Sequence, residues 1–310
     1  IAYGWSSKSI SIGACIALIT LIDNAYTPIA IFNVIFVQYK LDKTAYKRYS
    51  GFLDSRDDDQ LYKGIKPTSL RADISCHDLR FSYGSRLILD NFNLTIKQGE
   101  KIALVGESGS GKSTLIKLLT GLLKPQNGRI MIGMHDLKDL ALDNYYDSIA
   151  YISQESPVFD GTLRENLVFD KTIDDREMIK ALEQVELLDL YKKLEKGLDT
   201  ELGERGITLS GGERQRLALA RLWFTQAEIV ILDEATSAMD NITEETVMNR
   251  VMQLLQTQTV IVIAHRLSSI KKFERIIVFK DGRLVGDGSF DDLIKNNAYF
   301  RELYLASVRS

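Results

Sequence analysis

The stretch "IALVGESGSGKSTLIKLLTGLL", residues 102–123, decides the fold. An apolar run of strand type leads into the glycine-rich "GESGSGKST" and then into the helical "TLIKLLTGLL". Strand, glycine loop and helix in that order are the context that the phosphate-cradling P-loop pattern requires. Gly106, Gly109 and Gly111 let backbone N–H groups turn inward, with Glu107, Ser108 and Ser110 between them. The helix N-terminus behind them adds favourable partial charge. Lys112 supplies a compact positive charge to the outer phosphates, Ser113 can place its hydroxyl on Mg2+, and Thr114 completes the motif. A purely structural glycine turn is the weaker alternative.

Three further apolar runs, "IAYIS", "IVIL" and "VIVIA", read with "IALV" as buried and parallel strands. Ligands of an open α/β sheet bind at the carboxyl ends of its strands. The residues following the four runs are Gly106, Gln154, Asp233 with Glu234, and His265, so they converge on one edge. Asp233 is placed to orient a metal or its water, and Glu234 to polarise a water attacking the γ-phosphate. His265 reads as a γ-phosphate contact. Tyr83 in "FSYG" offers its ring either to a base, where stacking is worth roughly 1–3 kcal/mol, or to the core. A second glycine turn opens a helix in "ITLSGGERQRLALARLWF", residues 207–224. A chain with one evident nucleotide site thus carries two phosphate cradles.

Around these motifs, "HDLRFSY" and "LTIKQGEKIALVG", with a turn at Gln98-Gly99, suggest an antiparallel β-rich start. Residues 162–206 read as a helical insert, with Met178, Ile179, Leu182, Val185 and Leu188 on one apolar stripe. "RIIVFKDGRLVGDG" reads as a hairpin with an Asp-Gly turn, and "FDDLIKNNAYFRELYLAS" as an amphipathic closing helix. Neither carries evident chemistry.

The chain has 310 residues, 45% hydrophobic and 26% charged, a globular composition with a formal net charge of -3. That balance argues against nucleic acid as the partner. Cys15 and Cys76 have neither metal-ligand nor disulfide spacing and read as plain thiols. The N-terminal region differs from the rest: between Ser9 and Gln38 the only charge is Asp23, flanked by "ISIGACIALITLI" and "IAIFNVIFV". Roughly thirty helical residues reach about 45 Å, so one tilted membrane helix fits better than two short spans, with Pro28 as a place to kink. Asp23 reads as a substrate contact, an interfacial residue or a paired buried carboxyl. Lys40, Lys43, Lys47 and Arg48 downstream, against Lys8 upstream, put the C-terminal side in the cytoplasm. After it, "KLDKTAYKRYSGFLD" continues as a polar helix, and "SRDDDQLYKGIKPTS" reads as a solvated linker.

The set Tyr83, "GESGSGKST", Gln154 in "YISQESPVFDGTLRENL", "LSGGERQR", "IVILDEATSAMD" and "IAHRL" resembles, in order and spacing, the nucleotide-binding domain of ABC transporters. The resemblance runs from about Asp73 to the C-terminus. It implies an α/β P-loop NTPase with an ABC-type antiparallel β subdomain and a helical subdomain, preceded by one transmembrane helix. The expected division is residues 1–40 for the last transmembrane helix, 41–72 for its extension and linker, and 73–310 for the ATP-binding domain. It further implies an ATP hydrolase using ATP and Mg2+, with Tyr83 stacking on adenine, Gln154 touching the metal and the membrane domain, Glu234 as catalytic base and His265 as switch histidine. Ser237 to Asp240 look like the D-loop, with Met239 where leucine is usual.

"TELGERG", residues 200–206, and the apolar N-terminus followed by "YKRYSGFLD" resemble the exporters within this family, although Lys47 replaces the usual glutamate of the latter segment. The second cradle then gains a purpose. In this family two ATPase domains close head to tail, and Leu209, Ser210, Gly211, Gly212 and Glu213 face the ATP held by the partner's P-loop. The implied partners are a second subunit, identical or not, and transmembrane helices. The implied location is the cell membrane, multi-pass in a longer polypeptide beginning upstream of Ile1, with the ATPase in the cytoplasm. The transported substrate stays unassigned. A non-transport ABC ATPase tethered to a membrane is the alternative.

Overall fold

The computed structural model describes residues 11–54, 59–169, 171–203, 206–264 and 269–309. Two compact units result, divided after Asp58. The first is the helix α1, Ile12–Leu53, which runs unbroken for 42 residues, about 63 Å at the α-helical rise. Ser11 caps it by accepting from the Ala14 N–H. Pro28 lies inside it, and none of its described residues is buried within the chain. Its length and mean hydropathy of 1.6 over the most apolar window suffice to cross a membrane.

The second unit combines two main sheets. β1 (Ile74–Tyr83) and β2 (Arg86–Ile96) form a hairpin, joined by β4 (Asn127–Ile132) and the short β5 (His135–Asp136) in the antiparallel order β2-β1-β4-β5. The turn at Gln98-Gly99 does not close this sheet. It sends the chain into the second sheet through β3 (Lys101–Val105). After β3 come α2 (Lys112–Leu119), α3 (Leu142–Asp147) and β6 (Ile149–Ile152). The insert follows as β7 (Gly161–Thr162), α4 (Leu163–Val168), α5 (Asp175–Gln184), α6 (Leu188–Lys192) and β8 (Glu201–Leu202). The chain then forms α7 (Gly211–Ala220), β9 (Ile229–Asp233), α8 (Asn241–Leu254) and β10 (Thr259–Ile263). It ends with the hairpin β11 (Arg275–Lys280) and β12 (Arg283–Gly288), then α9 (Phe290–Asn296) and α10 (Ala298–Arg309).

The large sheet has the order β12-β11-β3-β10-β9-β6 and is parallel except for the edge strand β12. All five residues of β9 and of β10 are buried, which accounts for their unbroken apolar runs. In α5 and its C-cap the expected stripe is real, with Met178, Leu182 and Val185 buried in a hydrophobic cluster that also holds Leu217 and Ala218 of α7. It continues through Leu187, while Ile179 and Leu188 stay half-buried. β7 pairs with β8, tying the start of the insert to its end, and Glu204 and Arg205 of "TELGERG" lie outside the described residues.

The connector is not simply solvated. Ile65 exchanges backbone hydrogen bonds with Asp139 and Ala141, and the Gln60 side chain donates to the Leu137 carbonyl at 2.9 Å. Leu70 is buried in the core, and its N–H and the Ser69 hydroxyl both donate to the Glu228 carboxylate ahead of β9. Hydrogen bonds and two leucines, Leu61 and Leu70, hold this segment, which is why no apolar periodicity announces it.

Candidate active site

The chain leaves β3 at Gly106 with φ 152°, where an added Cβ would lie 2.4 Å from the Phe279 carbonyl oxygen, so only glycine fits. Gly111 precedes α2 in the left-handed region, and no side chain caps this helix. Its first N–H groups therefore face the loop mouth, as an anion site requires. Lys112 is only 8% exposed, and its Nζ folds back onto the Gly106 and Glu107 carbonyls at 2.7 and 2.9 Å and onto the Ser110 hydroxyl at 3.3 Å. Burial pulls its pKa down, opposed by the nearby Glu234, Asp233 and Glu107 carboxylates. Neutral carbonyls compensate a buried ammonium less well than an anion does, so the pocket is chemically suited to phosphate. Outside the loop, Gly282 donates to the Ser110 carbonyl at 2.9 Å. The β11–β12 hairpin, read from the sequence as a hairpin without evident chemistry, thus braces the P-loop.

The adjacent strand ends bring the carboxylates to the same edge. Asp233 is 8% exposed, and burial raises its pKa, with the Tyr151 hydroxyl acting the other way by donating to Oδ2 at 3.1 Å. Gln154 Nε2 donates to Glu234 Oε2 at 2.7 Å, joining residues 80 positions apart. Glu234 has φ 51°, in the left-handed region, and its N–H donates to the Ile263 carbonyl at 3.1 Å. Among the described residues, Asp233 Oδ1, Gln154 Oε1 and the exposed Ser113 hydroxyl carry no hydrogen bond. Three hard oxygens beside a phosphate cradle fit Mg2+, which takes few protein ligands and completes its shell with phosphate and water. His265 lies outside the described residues.

Tyr83 ends β1 with 46% of its surface exposed and its ring perpendicular to that of Phe81, so it is not a core residue. Leu209 is buried, whereas Ser210 is exposed and caps α7. Ser210 and Glu213 form a reciprocal capping box: the Ser210 N–H donates to Glu213 Oε2 at 2.7 Å, and the Glu213 N–H to Ser210 Oγ at 3.4 Å. The Ser210 N–H is therefore already satisfied, which leaves those of Gly211 and Gly212 to meet an anion. Among the described residues, no hydrogen bond joins residues 209–213 to the P-loop. Asp240 caps α8 through the Ile242 and Thr243 N–H groups, and Met239 is buried in the core.

Two residues escaped the sequence reading. Tyr151 sits inside the apolar run "IAYIS", where its hydroxyl is the only polar side-chain atom before Ser153. Gln215, 4% exposed on α7, is bonded to the turn after Glu234. A buried amide in "LSGGERQR" is the only hint the sequence offers.

Residues 89–237 match the family model described as ABC transporter. The ATP-dependent lipid A-core flippase of Desulfotalea psychrophila is 36% identical over 296 residues, covering 94% of this chain and 51% of that protein. The ATP-dependent permease MDL1 of Candida albicans is 44% identical over 249 residues, covering 77% of this chain and 36% of that protein. Among solved structures, a bacterial Atm1-family ABC exporter with ATP bound matches with a TM-score of 0.77 and 28% identity, covering 99% of this chain and 55% of that one. The chain spans about half the length, or less, of the curated relatives it matches. It belongs to the ABC transporter family, and its likeness falls on members named as exporters, permeases and flippases.

Proposed function

We propose that this chain binds and hydrolyses ATP with Mg2+ and forms one half of an exporter, in which ATP-driven closure of two ATPase domains moves a substrate out across the cell membrane. The observation that carries the reading is the Gln154–Glu234 contact at 2.7 Å: an amide and a carboxylate from neighbouring strand ends meet beside the Lys112 cradle. The loop from Gly106 to Thr114 takes the phosphates, and the exposed ring of Tyr83 takes the adenine face. Ser113, Gln154 and Asp233 would hold Mg2+, which when bound neutralises charge on the phosphate oxygens. Glu234 orients the attacking water and receives its proton, and His265 contacts the γ-phosphate.

Ser210 to Glu213, next to the buried Leu209, face the ATP of a second subunit, and Ser237 and Asp240 belong to the D-loop. ATP then holds the two domains together and its hydrolysis releases them, giving two states that membrane helices can read. α1 lies in the membrane, with its basic end and the ATPase in the cytoplasm. The decisive experiment is Glu234→Gln, expected to stop hydrolysis while ATP binding and the ATP-bound dimer persist. Near-normal turnover in that variant would remove Glu234 from the mechanism.

A further inference from the structure

We propose that Gln215 is a positioning residue for hydrolysis: it pins the strained backbone of Glu234 and fastens the start of α7 to the turn from Glu234 to Asp240. The inference rests on Glu234 being the group that orients water. Gln215 lies one turn into α7 from Gly211 and is buried. Its Nε2 donates to the Glu234 carbonyl at 3.3 Å and to the Ser237 hydroxyl at 2.9 Å, and its Oε1 accepts the Ala238 N–H at 2.8 Å. Both ends of the amide are therefore spent on one turn.

That turn needs holding. Glu234 sits at φ 51°, a conformation side-chain-bearing residues rarely adopt and keep only when their surroundings impose it. The peptide before it is fixed to β10 through the Ile263 carbonyl, and the peptide after it meets Gln215. The two bonds together set the direction in which the carboxylate leaves the chain. The glycine pair serves the same joint. A Cβ on Gly211 would come within 3.3 Å of the Ala238 Cβ, and one on Gly212 within 2.9 Å of the Ala238 carbonyl oxygen. Neither glycine has a positive φ; Gly212 is required here by close approach to backbone, and a side chain at Gly211 would press on Ala238. The helix start that faces a partner's phosphate and the turn that carries this chain's own carboxylate are thus one seated unit. A shift of α7 reaches Glu234 through a single amide.

The test compares Gln215→Met and Gln215→Glu, alone and combined with Glu234→Gln, in the full-length transporter in lipid nanodiscs. Methionine fills the same space without donating or accepting, so packing alone predicts no change. The expected result for Gln215→Met is a fall in kcat of about 10- to 100-fold, the size of effect a misplaced catalytic group produces, with KM and Kd for ATP nearly unaltered. Added to Glu234→Gln, it should lower the residual turnover by less than about twofold, because it acts through Glu234. Gln215→Glu keeps the acceptor for Ala238 but sets a carboxylate against the Glu234 carbonyl, and is expected to lose at least as much. Normal kcat in Gln215→Met overturns the proposal, and so does an equal loss with and without Glu234→Gln. Should the methionine variant fail to fold, normal kcat in Gln215→Glu overturns it equally. Failure of the underlying reading shows separately, as near-normal turnover of Glu234→Gln by itself.

Discussion

The helices α2 and α7 both start beside glycines and both offer free backbone N–H groups, yet they are finished in opposite ways. α2 has no side-chain cap, and a buried ammonium, that of Lys112, occupies its mouth. α7 is closed by the Ser210–Glu213 box, with an exposed serine and a carboxylate at its first turn. The loop before α2 is built into the chain, braced by Phe279 and Gly282. The glycines of α7 are instead packed against Ala238. The first cradle can hold an anion alone. The second, with Glu213 beside it, suits a phosphate already fixed and partly neutralised by another site.

The comparison breaks most sharply at Lys112. Lys112→Ala should abolish ATP binding, read with a fluorescent nucleotide, and cut hydrolysis by at least about 100-fold, as loss of a preorganised charge does. Ser210→Ala at the second cradle removes a helix cap, costing about 1 kcal/mol in stability, and leaves ATP binding to its own P-loop intact. Equal losses of nucleotide binding would erase the distinction. Next comes Gly106→Ala, which drives a Cβ into the Phe279 carbonyl and should cost about 1–3 kcal/mol in urea unfolding. Gly211→Ala, with 3.3 Å to the Ala238 Cβ, should cost less.

Tyr151→Phe sharpens the account of the first site. It frees Asp233 Oδ2 and should raise the Mg2+ or Mn2+ concentration for half-saturation about tenfold, as loss of a group orienting a metal ligand does. ATP binding without metal should be unchanged. The smallest effect belongs to Glu213, whose carboxyl is held below its ordinary 4.5 by the Ser210 hydroxyl first, then by the Ser210 N–H and Arg216. A depressed acid stabilises the fold above its unfolded pKa and loses that contribution as pH falls through its lower folded value. Urea unfolding should therefore show the cap weakening below about pH 4.5, and Glu213→Gln should flatten that dependence.

What could be read from the sequence was local or repetitive. The P-loop announces itself within nine residues, and the four buried strands do so by unbroken apolar runs, so the convergence of Gly106, Gln154, Asp233 and Glu234 on one edge followed from topology alone. The 2.7 Å meeting of Gln154 and Glu234 did not, because spacing along a chain fixes which edge a residue reaches and not its distance from a neighbour. The β11–β12 hairpin carries an evident Asp-Gly turn, but nothing in its pattern says that it lies beside β3 and braces Ser110. Tyr151 was hidden because a phenol in a strand reads as hydrophobic. Ser210 and Glu213 stand at capping-box spacing, so the bond they make with each other is legible in the same residues that read as a phosphate turn.

The central claim is that the two cradles of one chain serve different nucleotides. It is tested by counting ATP trapped in two differently tagged dimers, both with Glu234→Gln throughout. In one, Lys112→Ala and Ser210→Arg are placed on opposite subunits; in the other, both are on the same subunit. If each nucleotide lies between one chain's P-loop and the other's Ser210 segment, the first dimer keeps one intact site and traps about one ATP per pair, and the second traps none. The reverse pattern, none in the first and about one in the second, would mean that each chain's two cradles hold the same nucleotide, and would contradict the account.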